Sequence, residues 1–148
     1  MSDKKESYTI LYTDGSWKPK EKIGGYAAYL PAEDKVICGS KRNTTNNQME
    51  IQAVISGLKA IEENSNVLIY TDSQYVCNPF IKGWIHNWER NNWKRSGEDI
   101  PNSDLWKELK EEVSKHKSVQ FEWVKGHAST YGNNLCDAFA TAITKCES

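Results

Sequence analysis

The chain has 148 residues, 38% hydrophobic and 26% charged, with a formal net charge of −1 and a pI near 6.3. That length suits one domain with a real core, and no apolar run approaches the roughly 20 residues that span a bilayer, so no membrane role is expected. A near-neutral balance also excludes a chain that is basic throughout, so any nucleic-acid contact has to come from local clusters.

Residues 1–7 are short and charged, with no apolar segment behind them, and read as a flexible tail on a single domain spanning 1–148. Tyr8 to Thr13 is β-branched and aromatic, and Asp14-Gly15 punctuates it as a turn. Lys18 to Lys22 is a charged loop holding Pro19. Strands are predicted from Gly24 to Leu30 and from Val36 to Lys41, making an antiparallel meander with the first. Thr45 and Gln48 have capping-box spacing, opening a helix to about Glu63 with Val54, Leu58 and Ile61 on its core stripe. Gly57 on that helix permits a close backbone approach. Val67 to Thr71 is a buried strand ending at Asp72.

Ser73 caps a short helix, and Asn78-Pro79 reads as the cap and first position of another, with Ile81, Trp84, Ile85 and Trp88 as its apolar stripe. Asn91 to Asn102 is a polar loop. Ser103 caps a helix holding Leu105, Trp106, Leu109 and Val113. Val119 to Val124 is the last strand, Gly126 to Asn133 a loop, and a final helix carries Leu135, Phe139, Ala142 and Cys146. Three hairpin strands followed by strands separated by helices make an α/β fold. Its five-stranded mixed sheet has three antiparallel strands, then two parallel ones, with helices on both faces.

Four carboxylates stand out. Asp14 and Asp72 each follow a strand ending in Thr, and if those strands are parallel neighbours their carboxyl ends share one edge, where ligands of open α/β sheets bind. Glu50 lies just past the first turn of its helix. Asp137 is offset by about 200° from both Leu135 and Phe139, away from the core stripe and free to face a site. Four like charges in one place need a counter-ion, and hard divalent cations, Mg²⁺ first, fit an all-oxygen set. His127 follows Gly126 in a loop and has the pKa range for proton transfer. Trp84, Trp88 and Trp93, interleaved with Lys82, Arg90, Lys94 and Arg95, have the pattern of a platform that tracks a nucleic-acid backbone. The four cysteines, Cys38, Cys77, Cys136 and Cys146, form no C-x-x-C pair, which argues against zinc and for reduced thiols in a cytoplasmic chain. Cys136, beside Asp137, reads first as a small packing residue.

Together the motifs resemble one family, type 1 ribonuclease H in its short bacterial-like form. They are Tyr-Thr-Asp-Gly-Ser at Tyr12 to Ser16, Gly-Gly-Tyr at Gly24 to Tyr26, and Thr-Thr-Asn-Asn-Gln-Met-Glu at Thr44 to Glu50. Thr-Asp-Ser-Gln-Tyr-Val follows at Thr71 to Val76, Trp-Ile-His-Asn-Trp at Trp84 to Trp88, Trp-Val-Lys-Gly-His-Ala at Trp123 to Ala128, and Cys-Asp at Cys136 to Asp137. The resemblance runs from about Tyr8 to Cys146 and implies the ribonuclease H-like fold. It also implies an endoribonuclease that cuts the RNA strand of an RNA–DNA hybrid by two-metal-ion catalysis, leaving 5′-phosphate and 3′-hydroxyl ends; with no clear sign of an oligomer interface in the sequence, a monomer is expected. Asp14, Glu50, Asp72 and Asp137 would hold two Mg²⁺, with Mn²⁺ as a substitute and Asp14 bridging them. His127 would shuttle a proton or release product. Gly15 and Ser16 would present backbone near the cut ribose, Thr45 would meet a DNA phosphate, and Asn46, Asn47 and Gln74 would read the minor groove through shape and 2′-hydroxyls. Trp84, Trp88 and Lys94 complete the expected substrate contacts.

Two departures from the family pattern carry consequences. Lys20 stands where the loop after the first strand usually has Asn. The protrusion, often dense in Lys and Arg, here has Glu89, Asn91, Glu98 and Asp99, which predicts weaker hybrid binding and a shallower salt slope. The rival readings are a non-catalytic hybrid-binding module, the ribonuclease H domain of a reverse transcriptase, and an integrase-like nuclease. The four carboxylates with His127 argue against the first. The start of the chain close to its first strand argues against the second, and the Asn46, Asn47 and Gln74 set against the third.

Overall fold

The computed structural model describes residues 7–125 and 131–147. The main sheet has five strands: β1 Thr9–Lys18, β2 Ile23–Leu30, β3 Lys35–Arg42, β4 Asn66–Thr71 and, after a short separate hairpin (β5 Lys94–Arg95 with β6 Glu98–Asp99), β7 Ser118–Trp123. Its order is β3-β2-β1-β4-β7; β1 to β3 pair antiparallel, while β4 pairs parallel with both β1 and β7. The expected mixed sheet is therefore present. Helices α1 Asn46–Lys59, α2 Gln74–Ile81, α3 Trp84–Arg90, α4 Ser103–Ser114 and α5 Tyr131–Glu147 complete the fold.

Alternation along the strands divides the core. Leu11, Val67 and Ile69 face a layer built on α1, with Ile51, Val54, Ile55 and Leu58, and continue into Trp106 and Leu109 of α4. Burying each such aliphatic side chain contributes about 1.5–3 kcal/mol. Ala27 and Tyr29 face the other way, onto Cys136 and Ala140 of α5. Gly57 lets α1 sit close on β1, since a Cβ there would lie 2.7 Å from a Leu11 methyl.

Several boundaries differ from expectation. Asp14-Gly15 is not a turn: β1 continues to Lys18 because β2 pairs with it as far as Lys18↔Ile23, while its parallel pairing with β4 stops at Tyr12↔Tyr70. The turn falls instead at Pro19 to Lys22, where the Lys22 amide donates to the Pro19 carbonyl at 3.3 Å. Helix α1 ends at Lys59 rather than Glu63, leaving Ile61 packed on the core just beyond it. Only half of the capping box forms: Thr45 Oγ1 accepts from the Gln48 amide at 3.2 Å, but the Gln48 side chain turns away to Thr44 and Asn102.

Pro79 lies inside α2 instead of opening the next helix, and the break comes at Gly83, whose φ of +78° reverses the chain. On the expected stripe only Ile85 is fully buried; Trp88 is half-buried, while Ile81 and Trp84 are exposed. The supposed polar loop holds the β5–β6 hairpin, turned by Ser96 and Gly97 with φ of +53° and +82°. Trp93 is buried and anchors it, so this tryptophan belongs to the core. Asn102, not Ser103, is the N-cap of α4, and α5 begins at Tyr131, inside the expected loop. Of the expected tail, only Ser7 falls among the described residues.

Candidate active site

The register explains how two aspartates meet. Tyr12 and Tyr70 form the last parallel pair of β1 and β4. Asp14 and Asp72 each lie two residues beyond that pair, at the edge where the strands part. Glu50 comes to the same place on the second turn of α1. Gly15 allows this approach: a Cβ there would sit 2.9 Å from the Glu50 amide nitrogen. One carboxylate oxygen from each of Asp14, Glu50 and Asp72 falls within 4.8 Å of the others. The Asp72 backbone is fixed by the Trp123 indole N–H, which donates to its carbonyl at 3.1 Å.

Asp137 reaches the cluster from α5. Residues four apart on a helix share a face, and two such pairs dock this one. Gly132 and Cys136 lie on Tyr12: a Cβ at 132 would meet its ring at 2.3 Å, and the Cys136 thiol donates to the Tyr12 carbonyl at 3.3 Å. Asn133 and Asp137 form the second pair. The Asn133 amide donates to the Tyr70 carbonyl at 3.3 Å, and Asp137 lies near enough to Asp14 for its charge to act on that carboxyl. Helix α5 is thus held to a carbonyl of each parting strand.

Burial first, then the charges of Asp72 and Asp137, push the Asp14 carboxyl up to about 8, with the Gly15 amide at 2.9 Å opposing the shift. Burial, then Asp14 and Asp72, hold Glu50 well above the usual carboxylate range. Glu50 Oε1 is buried without a hydrogen-bond partner among the described residues. An orphaned buried carboxylate oxygen among other carboxylates costs free energy unless a cation meets it. The donor set is all oxygen, so the cluster fits a hard divalent ion. Cys136 is buried, and burial pushes its thiol up, as suits the small packing residue expected there.

The expected groove residues surround this edge. Thr45 caps α1, Asn46 and Asn47 are in its first turn, and Gln74 opens α2. A hydrogen-bonded chain ties the two helix starts together: Thr44 Oγ1 donates to Gln48 Oε1 at 2.9 Å, Gln48 Nε2 to Asn102 Oδ1 at 3.0 Å, and Asn102 Nδ2 to the Tyr75 hydroxyl at 2.9 Å. Reading the sequence missed Asn102 and Asn133. For Asn133 the signal was its spacing four residues before Asp137; for Asn102 there was none. Ser16 follows on β1. Trp84, Trp88 and Lys94 lie away from the carboxylates, along a cleft of about 660 Å³ between α3 and the β5–β6 hairpin. Trp88 also packs edge-on against Trp106, with ring centroids 5.6 Å apart. His127 lies outside the described residues.

The ribonuclease H family model matches residues 6–145. A ribonuclease H of Caldicellulosiruptor saccharolyticus is 45% identical over 139 residues, covering 92% of this chain and 95% of the relative. One of Thermoanaerobacter sp. strain X514 is 48% identical over 138 residues, covering 91% and 88%, and one of Francisella tularensis subsp. novicida is 43% identical over 140, covering 93% and 91%. Among solved structures, LC9-RNase H1, a type 1 RNase H with the type 2 active-site motif, superposes with a TM-score of 0.74 at 24% identity, covering 98% of this chain and 76% of that one. That likeness bears on the fold alone. With a family match across nearly its whole length and relatives close to half identical over nearly theirs, this chain belongs to the ribonuclease H family.

Proposed function

We propose that the protein is a metal-dependent endoribonuclease that hydrolyses the RNA strand of RNA–DNA hybrids, giving 5′-phosphate and 3′-hydroxyl ends. The observation that carries this reading is the meeting of Asp14, Glu50 and Asp72 within 4.8 Å, with one Glu50 oxygen buried and unpartnered among the described residues. These three and Asp137 would hold two Mg²⁺, and Mn²⁺ would substitute. When bound, such a pair supplies an activated water and charge stabilisation at the leaving 3′-oxygen.

The chain's own residues set the rest. Asp14, central to the cluster, gives up its proton before it can serve as a ligand. Gly15 and Ser16 continue the strand past the carboxylates and offer backbone to the cut ribose. Asn46, Asn47 and Gln74 supply amides on two helix starts that the Gln48–Asn102–Tyr75 chain locks together, which suits shape recognition of a minor groove. Thr45 would contact a DNA phosphate, and His127 would move a proton near the site. Trp84 and Trp88 give flat faces along the outer cleft, with the Lys82 ammonium 5.5 Å from the Trp84 ring centre.

All four carboxylates come from one chain, which supports a monomer acting as a single domain. No helix among the described residues is long and apolar enough to cross a membrane. The exposed thiols of Cys38 and Cys146 suit a reducing, cytoplasmic setting. The test is cleavage of an end-labelled RNA–DNA hybrid with Mg²⁺, with duplex DNA and duplex RNA as competitors. Cutting confined to the RNA strand and abolished by EDTA is expected; cutting that persists in EDTA, or a hybrid left intact, would sink the proposal.

A further inference from the structure

We propose that the hybrid's sugar–phosphate backbone is anchored on the β1–β2 turn and the adjoining end of β3, and not on the protrusion. This rests on the hybrid-cleaving reading above and names the surface that holds the substrate for that site.

The protrusion is electrostatically spent. From Trp84 to Asp99 its three cations, Arg90, Lys94 and Arg95, are balanced by Glu89, Glu98 and Asp99. Lys94 Nζ lies 2.8 Å from Asp99, and Glu89 holds Lys110 at 3.0 Å. It keeps its tryptophan faces but little net charge.

Around the β1–β2 turn and the end of β3 the balance is different. Lys18, Lys20 and Lys22 flank the turn with Glu21 as the one acid among them, and Lys41 and Arg42 end the neighbouring strand. The register aligns Lys18, Ile23 and Arg42 in one row and Trp17, Gly24 and Lys41 in the next. Successive rows point to opposite faces, so the cations wrap the edge. The Asn43 amide donates to the Lys22 carbonyl at 2.7 Å, which ties the turn to the end of β3 and holds the patch in shape. Lys20, Lys22 and Lys41 are exposed and form no ion pair among the described residues.

The patch is continuous with the site. Lys18 lies four residues beyond Asp14 on the same strand, about 13 Å along it. Arg42 stands three residues before Thr45, the cap of the helix that carries Glu50. Lys41 lines a cleft of about 530 Å³ shared with Gln48 and Asn102, whose two acids are Asp99, paired with Lys94, and Asp104. A cation cluster at this distance from the cut can follow one strand's phosphates while the carboxylates address its scissile bond.

The test is a salt titration of hybrid binding, read by fluorescence anisotropy of a labelled RNA–DNA hybrid in EDTA. The variants are a triple, Lys20→Ala, Lys22→Asn and Lys41→Ala, and a double, Lys94→Ala and Arg95→Ala. Asn is chosen at 22 because φ there is +56°. The triple is expected to lower the slope of log K against log salt by roughly 2 to 3, at about 0.9 for each phosphate that is no longer neutralised. The double is expected to change it less. A triple variant with the wild-type slope, or a double whose slope falls as far as the triple's, would overturn the proposal. Cleavage of the same hybrid by wild-type protein in Mg²⁺ is read in parallel; if it is absent the activity reading fails, while the binding slopes still decide the anchor.

Discussion

Asp14 is buried among like charges. Its folded pKa, about 8, lies above the ordinary value of 3.8, so the proton it keeps stabilises the metal-free fold. The sign follows from linkage: that stability is fully present below the unfolded pKa and is lost as pH rises through the folded one. In EDTA, Asp14→Asn is therefore expected to raise thermal stability over wild type. The gain should grow between pH 4 and pH 8 to roughly 1–3 kcal/mol, while hybrid cleavage in Mg²⁺ is abolished. A melting series across that range checks the first part, and a constant difference between the two proteins would contradict it. The cysteines give a second test at this scale. Cys77 and Cys136 are buried with raised thiols, whereas Cys38 and Cys146 are exposed. Alkylation of the native protein followed by mass spectrometry is expected to label the exposed pair alone, with the buried pair reacting only in denaturant.

At the scale of elements, the site depends on how α5 is seated. Its Asn133 and Cys136 side chains reach the carbonyls of Tyr70 and Tyr12, the residues at which β4 and β1 part. Asn133→Ala is expected to lower kcat and raise the Mg²⁺ concentration needed for half-maximal rate, with hybrid affinity in EDTA unchanged, because Asp137 lies one turn along on the same face. A drop in hybrid affinity at constant metal requirement would contradict this. Gly132→Ala places a methyl 2.3 Å from the Tyr12 ring and is expected to destabilise the fold by roughly 1–3 kcal/mol, measured by urea denaturation. The element boundaries that the sequence misplaces share one cause. Asp14-Gly15, Asn78-Pro79 and Asn91 to Asn102 carry turn-forming residues, yet neighbours in space supply the backbone partners or packing that the local signal lacks: β2 for the first, the buried Val76 and Cys77 for the second, buried Trp93 for the third.

For the whole molecule, metal affinity and stability are linked through the same protons. Ligands bind a cation as carboxylates, so loading the cluster releases the protons that burial retains on Asp14 and Glu50. Saturating Mg²⁺ is expected to raise the melting temperature more at pH 8.5 than at pH 6. The stabilisation approaches about 2.7 kcal/mol when the free ion is a hundredfold above Kd. Equal shifts at the two pH values would mean that ion binding is not coupled to the protons on Asp14 and Glu50. The net charge of −1 also becomes intelligible as a distribution: an acidic centre, a neutral protrusion, and a basic edge beside β1.

The mixed sheet and the family were legible in the sequence, and the four acidic motifs stood out there, because strand and helix periodicity are local and those motifs are short and well spaced. Glu50 could be placed near its cap and Asp137 off its core stripe without coordinates. That Asp14 and Asp72 come together was conditional on parallel pairing, and the Tyr12↔Tyr70 register decided it. The place of Asn102, the partner that Asn133 finds on β4, and the gathering of Lys18, Lys22, Lys41 and Arg42 on one edge, lay beyond the sequence. Their partners are distant along the chain, and a hydrogen bond between Asn133 and Tyr70 leaves no pattern in the residues between them. Local physical chemistry determined which groups this protein has; tertiary packing decided which of them share water-poor space, and with it their charges.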